Sequence, residues 1–379
     1  MFRPTFAALA AAAIFLTAPA FAANYAAGTC LPNLPSFETI SQAVSSVPSG
    51  STIEVCPGRY PEQIVITQPL TLEGVPNAAS DAVIVVPSGG LSQTVDIPDF
   101  GGLIPYQVLV QSTGPVNLID LAIDGTGADA GGQITMAGII YLDASGRAAN
   151  LALRNQQCQL DGFGVLAITT AAAAQTVSVE NSVIRGFDNA GMWTESDGGP
   201  MTVNLTSNII NGKAATLTNA FVYSLRATGT IQSNLINGAS VPVLINSSQP
   251  VRVTENTISE SSVNKFVTFY LTSASATITN NKVDLGSATG FWLFGTATNS
   301  VIQHNTFGNA GLVMRACGAS GYTFNFNTIT DAATGFMSDG PNTMSPNNYY
   351  AVGNAEQACA FDRESMNLAR KLPGFLRAR

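Results

Sequence analysis

Apolar residues in this chain come in short alternating runs, as in strands, and not at helical spacing. The runs repeat. One series reads Asn181-Ser-Val183, Asn208-Ile-Ile210, Asn234-Leu-Ile236, Asn256-Thr-Ile258, Asn281-Lys-Val283, Asn305-Thr-Phe307 and Asn327-Thr-Ile329, with 22–27 residues between successive asparagines. A second series places a glycine before a short apolar strand, at Gly138, Gly164, Gly191, Gly290, Gly311 and Gly335, with Ala220, Pro242 and Lys265 leading equivalent strands. A unit of this length holds two or three strands and cannot bury its apolar face alone. Stacked units form parallel sheets around one core, and the pattern predicts an all-β parallel solenoid. The Asn residues then stack as a ladder of side-chain amides, at a corner whose left-handed conformation Asn tolerates.

Side chains alternate across a strand. With the residue after each Gly facing inward, the outward column runs through Ile140, Leu166, Trp193, Val222, Leu244, Thr268, Trp292, Val313 and Met337. Beside it lie Glu195, Asn246, Tyr270, Phe294, Arg315 and Asp339. That face is too apolar for idle solvent surface. Two readings stay open: Trp193, Trp292, Tyr270, Asn246 and Phe294 form a binding platform, or a loop at 89–106 or a second copy of the chain covers the stripe. One helix is expected at about 37–47, with Ser36 as N-cap, covering the N-terminal end of the solenoid.

The run Thr39-Ile-Ser-Gln-Ala-Val-Ser-Ser-Val-Pro-Ser-Gly-Ser-Thr-Ile-Glu-Val-Cys-Pro-Gly-Arg-Tyr, with Ile64-Val-Ile and Leu70-Thr-Leu-Glu-Gly after it, resembles the entry of the pectin-lyase-like (pectate-lyase-like) superfamily. The Asn-x-Ile turns resemble its repeats. The resemblance spans about residues 36–350 and implies a right-handed parallel β-helix. It also implies that the Gly-led sheet corresponds to the one carrying the substrate groove in pectate-lyase-like enzymes. It does not fix an activity, because lyases, hydrolases, esterases, epimerases and non-enzymes share the fold.

Residues 1–22 read as a cleaved secretory signal, with Arg3 before an apolar stretch and Ala20-Phe21-Ala22 as the cleavage site. The expected β-helix domain spans 24–354, and 355–379 form a basic tail that could cap the far end. The expected location is secreted, periplasmic or extracellular. Five cysteines suit an oxidising compartment, and their positions suggest Cys30–Cys56 and Cys317–Cys359 as clips, with Cys158 buried; five reduced core cysteines are the alternative. The net charge of −8 becomes −9 without Arg3, which argues against nucleic acid and against attraction of polyanions.

Candidate chemistry is sparse. Asp161 and Asp188 each precede a repeat Gly by three residues and are expected to stack one turn apart, with Glu195 on the neighbouring strand. Such a group could serve as acid and base of a glycoside hydrolase, hold Ca²⁺ for a lyase, or be a solvated rim. No firm metal site and no other cofactor are expected. The polygalacturonase and pectin-methylesterase motifs are missing. Arg315 is the one outward base on the Gly-led sheet, weak support for β-elimination. His304, the sole histidine, is expected to serve as a corner hydrogen-bond donor. The first expectation is a secreted protein that binds a glycan or other partner on the outer face of the Gly-led sheet, with no recognisable catalytic motif; the alternatives are a divergent polysaccharide lyase or glycoside hydrolase and a structural or adhesive surface protein. An oligomer formed through the apolar stripe is a further expectation.

Overall fold

The computed structural model describes residues 23–76, 81–97, 100, 102–128, 132, 134–159, 161–212, 218–259 and 267–359. The expected signal, Lys265 and residues 360–379 lie outside the described residues. The chain winds into about eleven turns of right-handed parallel β-helix. Each full turn visits three sheets. The turn after Gly164 shows the order: Asp161–Thr169 in the Gly-led sheet, Gln175–Glu180 in the second, Val183–Phe187 in the third. Each pairs in parallel with its counterpart one turn on: Ala190–Ser196, Met201–Thr206 and Ile209–Asn211. Inward residues such as Ile139, Val165, Val203, Ile231 and Ile258 form one continuous core along the axis.

The Gly place is explained by close backbone stacking. A Cβ on Gly164 would lie 2.4 Å from the Gly191 carbonyl oxygen, and one on Gly290 would lie 2.4 Å from that of Val313. Two later strands depart from the expected register. Phe269 pairs with Val243 and with Phe291, and Met314 pairs with Phe291. Both strands thus lie two residues later than the expected columns, which put Val267 and Leu312 level with Phe291. Thr268 and Val313 take the Gly place, in the stead of Lys265 and Gly311, and Val313 faces the core. The reason is local: Thr306–Ala316 crosses the corner as one unbroken strand, so Gly311 does not mark a strand start.

The amide ladder runs from Asn208 through Asn234, Asn256, Asn281, Asn305 and Asn327 to Asn347. In each step from Asn208 on, backbone N–H and side-chain Nδ2 both donate to the next Oδ1, at 2.8–3.1 Å. Asn181 is not a rung. Ser182 fills that place, donating its N–H to Asn208 Oδ1 at 3.0 Å, while Asn181 takes the left-handed corner before it (φ 49°). Asn suits both places, which is why the sequence pattern is one residue out here.

The helix spans Ile40–Ser46, shorter than expected. Thr39, not Ser36, is its N-cap, and Ser36–Phe37 is a strand paired with Ala26–Ala27. The Glu62 carboxylate accepts the N–H groups of Ile40 and Ser41 at 3.0 and 2.8 Å, satisfying donors at the helix start. Ile40, Ala43 and Val44 join the main core. At the other end the last strand, Asn348–Gln357, runs past the expected boundary at 354. Disulfides link Cys30 to Cys56 and Cys317 to Cys359, and Cys158 is buried outside both.

Candidate functional site

The outward side of the Gly-led sheet divides into two halves. Its N-terminal half is covered. The strands Thr94–Ile97 and Gly102–Val110 form an antiparallel pair, and Ile97, Ile104 and Tyr106 pack with Ile140, Leu166 and Trp193 in a second apolar cluster. The Phe100 ring meets Trp193 edge-on at 5.4 Å and Phe163 at 5.5 Å. Trp193 is therefore only 1% exposed, and the covering reading holds for this part of the stripe. The segment responsible is the one anticipated at 89–106.

Glu195 lies beneath the same cover. Its Oε2 accepts the Trp193 Nε1–H at 3.1 Å. Burial pushes its carboxyl above the ordinary carboxylate range, and the indole hydrogen bond only partly opposes that. Among the described residues of the sheet's outward columns from Trp193 on, the carboxylates are Glu195 and, two residues after Met337, the exposed Asp339, which accepts the Gly318 N–H at 2.7 Å.

The C-terminal half carries a cluster of three aromatic rings. Tyr270 pairs in register with Leu244 and Trp292, and Thr272 pairs with Phe294. Ring centroids lie 6.2 Å apart for Tyr270–Trp292, 5.2 Å for Tyr270–Phe294 and 5.0 Å for Trp292–Phe294. Trp292 is buried at 6% exposure, whereas Tyr270 and Phe294 are half-buried. Arg315, in register with Trp292, holds its guanidinium 5.9 Å from that ring's centre. Half-buried Asn246 lies two residues after Leu244, at the edge of the cluster. Burial raises the Tyr270 phenol above its ordinary pKa, partly offset by a Thr272 hydrogen bond, so the ring stays neutral.

Asp161 and Asp188 stand one turn apart, two residues before the paired Phe163 and Ala190, and Glu195 stands away from both. Asp161 accepts the Asn189 amide at 2.6 Å, and Asp188 accepts the Cys158 N–H at 2.9 Å. Glu195 lies five residues beyond Ala190 in an extended strand, about 16 Å along it. Among the described residues, no three His, Cys, Asp or Glu side chains group in a way that could hold a metal. His304 sits exposed at a left-handed corner (φ 58°), its ring stacked on Phe326 at 5.6 Å.

Sequence reasoning missed a polar hub on the third sheet. Asp124 accepts from the Thr126 hydroxyl and N–H (2.6 and 3.0 Å), from Asn155 (3.1 Å) and from Arg154 (3.0 Å). Burial alone would raise its pKa, but these four donors outweigh it and hold the carboxyl at about 2. The partners lie about thirty residues apart, so only knowledge of the turn length could have brought them together.

A family model described as a right handed beta helix region matches residues 216–355. Two solved structures are similar. One is the GH136 lacto-N-biosidase of Eubacterium ramulus, with TM-score 0.63 and 11% identity, covering 86% of this chain and 68% of that one. The other is the catalytic unit of a GH87 alpha-1,3-glucanase from Streptomyces thermodiastaticus, with TM-score 0.52 and 16% identity, covering 85% of this chain and 65% of that one. No curated protein sequence matches. The likeness is one of fold: the chain is a right-handed parallel β-helix, as the matched region and the two similar structures are.

Proposed function

We propose that the protein binds a neutral glycan on the C-terminal half of its Gly-led sheet. The observation that carries this reading is the Tyr270–Trp292–Phe294 cluster, with two rings half-buried on an otherwise regular sheet face. Such rings present flat apolar faces to the C–H faces of a sugar, and Asn246 supplies an amide donor and acceptor at their edge. Charge favours a neutral ligand. Arg315 is engaged with Trp292, and a chain of net charge −8 repels a polyanion. Two disulfides support an oxidising, extracytoplasmic location.

Binding is favoured over hydrolysis by the carboxylate arrangement. A glycosidase of the usual kind needs two carboxyl groups within roughly 5–9.5 Å of each other. Among the described residues the outward columns hold Glu195, whose strand lies three turns or about 14 Å from that of Tyr270, and Asp339, whose strand lies six turns or about 29 Å from that of Glu195. The two similar folds named as a biosidase and a glucanase keep hydrolysis as the alternative to be tested. A panel of neutral and acidic polysaccharides, assayed for binding, for new reducing ends and for unsaturated products, separates the readings. Binding of neutral members without products is expected; release of either product would replace binding with catalysis.

A further inference from the structure

The corner that follows the Gly-led sheet holds a guanidinium that no carboxylate among the described residues answers. The chain leaves the sheet at Leu225 in the left-handed conformation (φ 57°), and the Ala227 N–H closes the turn on Ser224 O at 3.1 Å. Arg226, between them, reaches back one turn to the loop that starts at Ser196. Its Nε donates to Ser196 O at 3.4 Å, and its Nη2 donates to Asp197 O and, at 2.8 Å, to Gly198 O. Carbonyl dipoles fix the guanidinium plane but do not discharge it. The ion pairs among the described residues are Arg147–Glu180 and Arg154–Asp124. Nη1, on the edge of the plane away from Nε, donates to none of the described residues. Arg226 lines a cavity of about 180 Å³ with Ser196, Gly198, Pro200, Thr228 and Gln249. The two hydroxyls on that wall are spent as donors, Ser196 to Gly199 O at 2.7 Å and Thr228 to Pro250 O, so toward the cavity they offer lone pairs. The Asp197 side chain is exposed and is not part of the lining.

We infer that this cavity binds a small hydroxy acid. The carboxylate takes the Nη1 N–H groups of Arg226 and the Gln249 amide, and a hydroxyl of the ligand donates to Thr228 Oγ1. One guanidinium balances one negative charge, and a chain of net charge −8 disfavours a dianion such as phosphate. The volume lies below the roughly 300–1,000 Å³ of sites for drug-sized ligands, which limits the occupant to a few carbon atoms. The cavity lies at the edge of the Gly-led sheet, with Gln249 three residues past Asn246, yet it shares no residue with the aromatic cluster. It stands or falls independently of glycan binding.

Equilibrium dialysis of the full-length chain against labelled glycerate tests the site, with glycerol and propionate as competitors. Glycerol lacks the charge and propionate lacks the hydroxyls. Wild type is expected to bind glycerate saturably, with each competitor about fivefold weaker or more, and the affinity should fall as salt screens the pair. Arg226→Gln should weaken glycerate binding about tenfold or more, and Gln249→Ala about threefold. The Gln249 side chain is exposed, so its variant keeps the wild-type Tm and decides the matter if Arg226→Gln, which loses the carbonyl clamp, fails to fold. Tyr270→Ala/Phe294→Ala should bind glycerate as wild type does, whatever it does to glycans. Three results overturn the inference: no saturable glycerate binding by wild type, unchanged affinity in Gln249→Ala, or glycerol binding as tightly as glycerate. Loss of glycerate binding in the aromatic double variant puts the ligand on the ring platform and overturns it as well.

Discussion

Single residues here matter chiefly as rungs. Asn256 donates its N–H and Nδ2 to Asn281 and receives both donors of Asn234, and its Nδ2 also reaches the carbonyls of Ile231 and Thr254. Asn256→Ala should cost about 1–3 kcal/mol for each buried group left unpaired, read as a lower urea midpoint. An unchanged midpoint would mean the ladder contributes nothing. Asp124 gives a pH signature. Its folded pKa of about 2 lies below its unfolded value, so its contribution is present above the ordinary carboxylate range and is lost as pH falls toward 2. Asp124→Asn should lower Tm at neutral pH and flatten the Tm profile between about pH 4 and 2. If both profiles keep the same shape, the four donors do not hold the carboxylate as described. The ladder was legible in sequence from Asn208 to Asn327 because its spacing repeats with an apolar residue two places on. Asn347 escaped because Tyr349 follows where Ile or Val usually stands, and Asn181 misled because left-handed corners favour Asn too.

At the scale of the element, backbone approach between turns decides what the corner accepts. Gly164→Ala would set a methyl 2.4 Å from the Gly191 carbonyl and 2.9 Å from an Ile184 methyl, forcing two turns apart. It should destabilise by roughly 1–3 kcal/mol, the scale of an overpacked core. Gly89 has open space around an added Cβ, so Gly89→Ala is the control. Equal Tm values for the two variants would contradict the close-stacking account. Side-chain alternation made the outward face of the strands readable from sequence. Register was harder, because a slip of two residues preserves every face and leaves the apolar pattern intact. The helix was also readable, but its start was not: Thr39 and Ser36 both suit an N-cap, and only the pairing of Ser36–Phe37 with Ala26–Ala27 decides between them.

For the whole molecule, the sequence identified an apolar stripe, and the structure divides it. Covering and binding were rival readings of one surface; they apply to different halves. Nothing in the alternation of Trp193 and Trp292 distinguishes them, because the difference comes from an antiparallel pair some ninety residues upstream of Trp193. The halves should therefore respond differently to mutation. Trp193→Ala removes a ring packed against Phe100 and Phe163 and should lower Tm, at roughly 3–5 kcal/mol for a large buried side chain. Tyr270→Ala and Phe294→Ala touch half-buried rings and should lower Tm far less. Calorimetric titration of wild type and the Tyr270→Ala/Phe294→Ala double variant with a neutral oligosaccharide from the binding panel tests the glycan reading most directly. The account predicts saturable binding by wild type and at least tenfold weaker binding by the double variant, with the folded state retained. Equal affinity in the two proteins would contradict it.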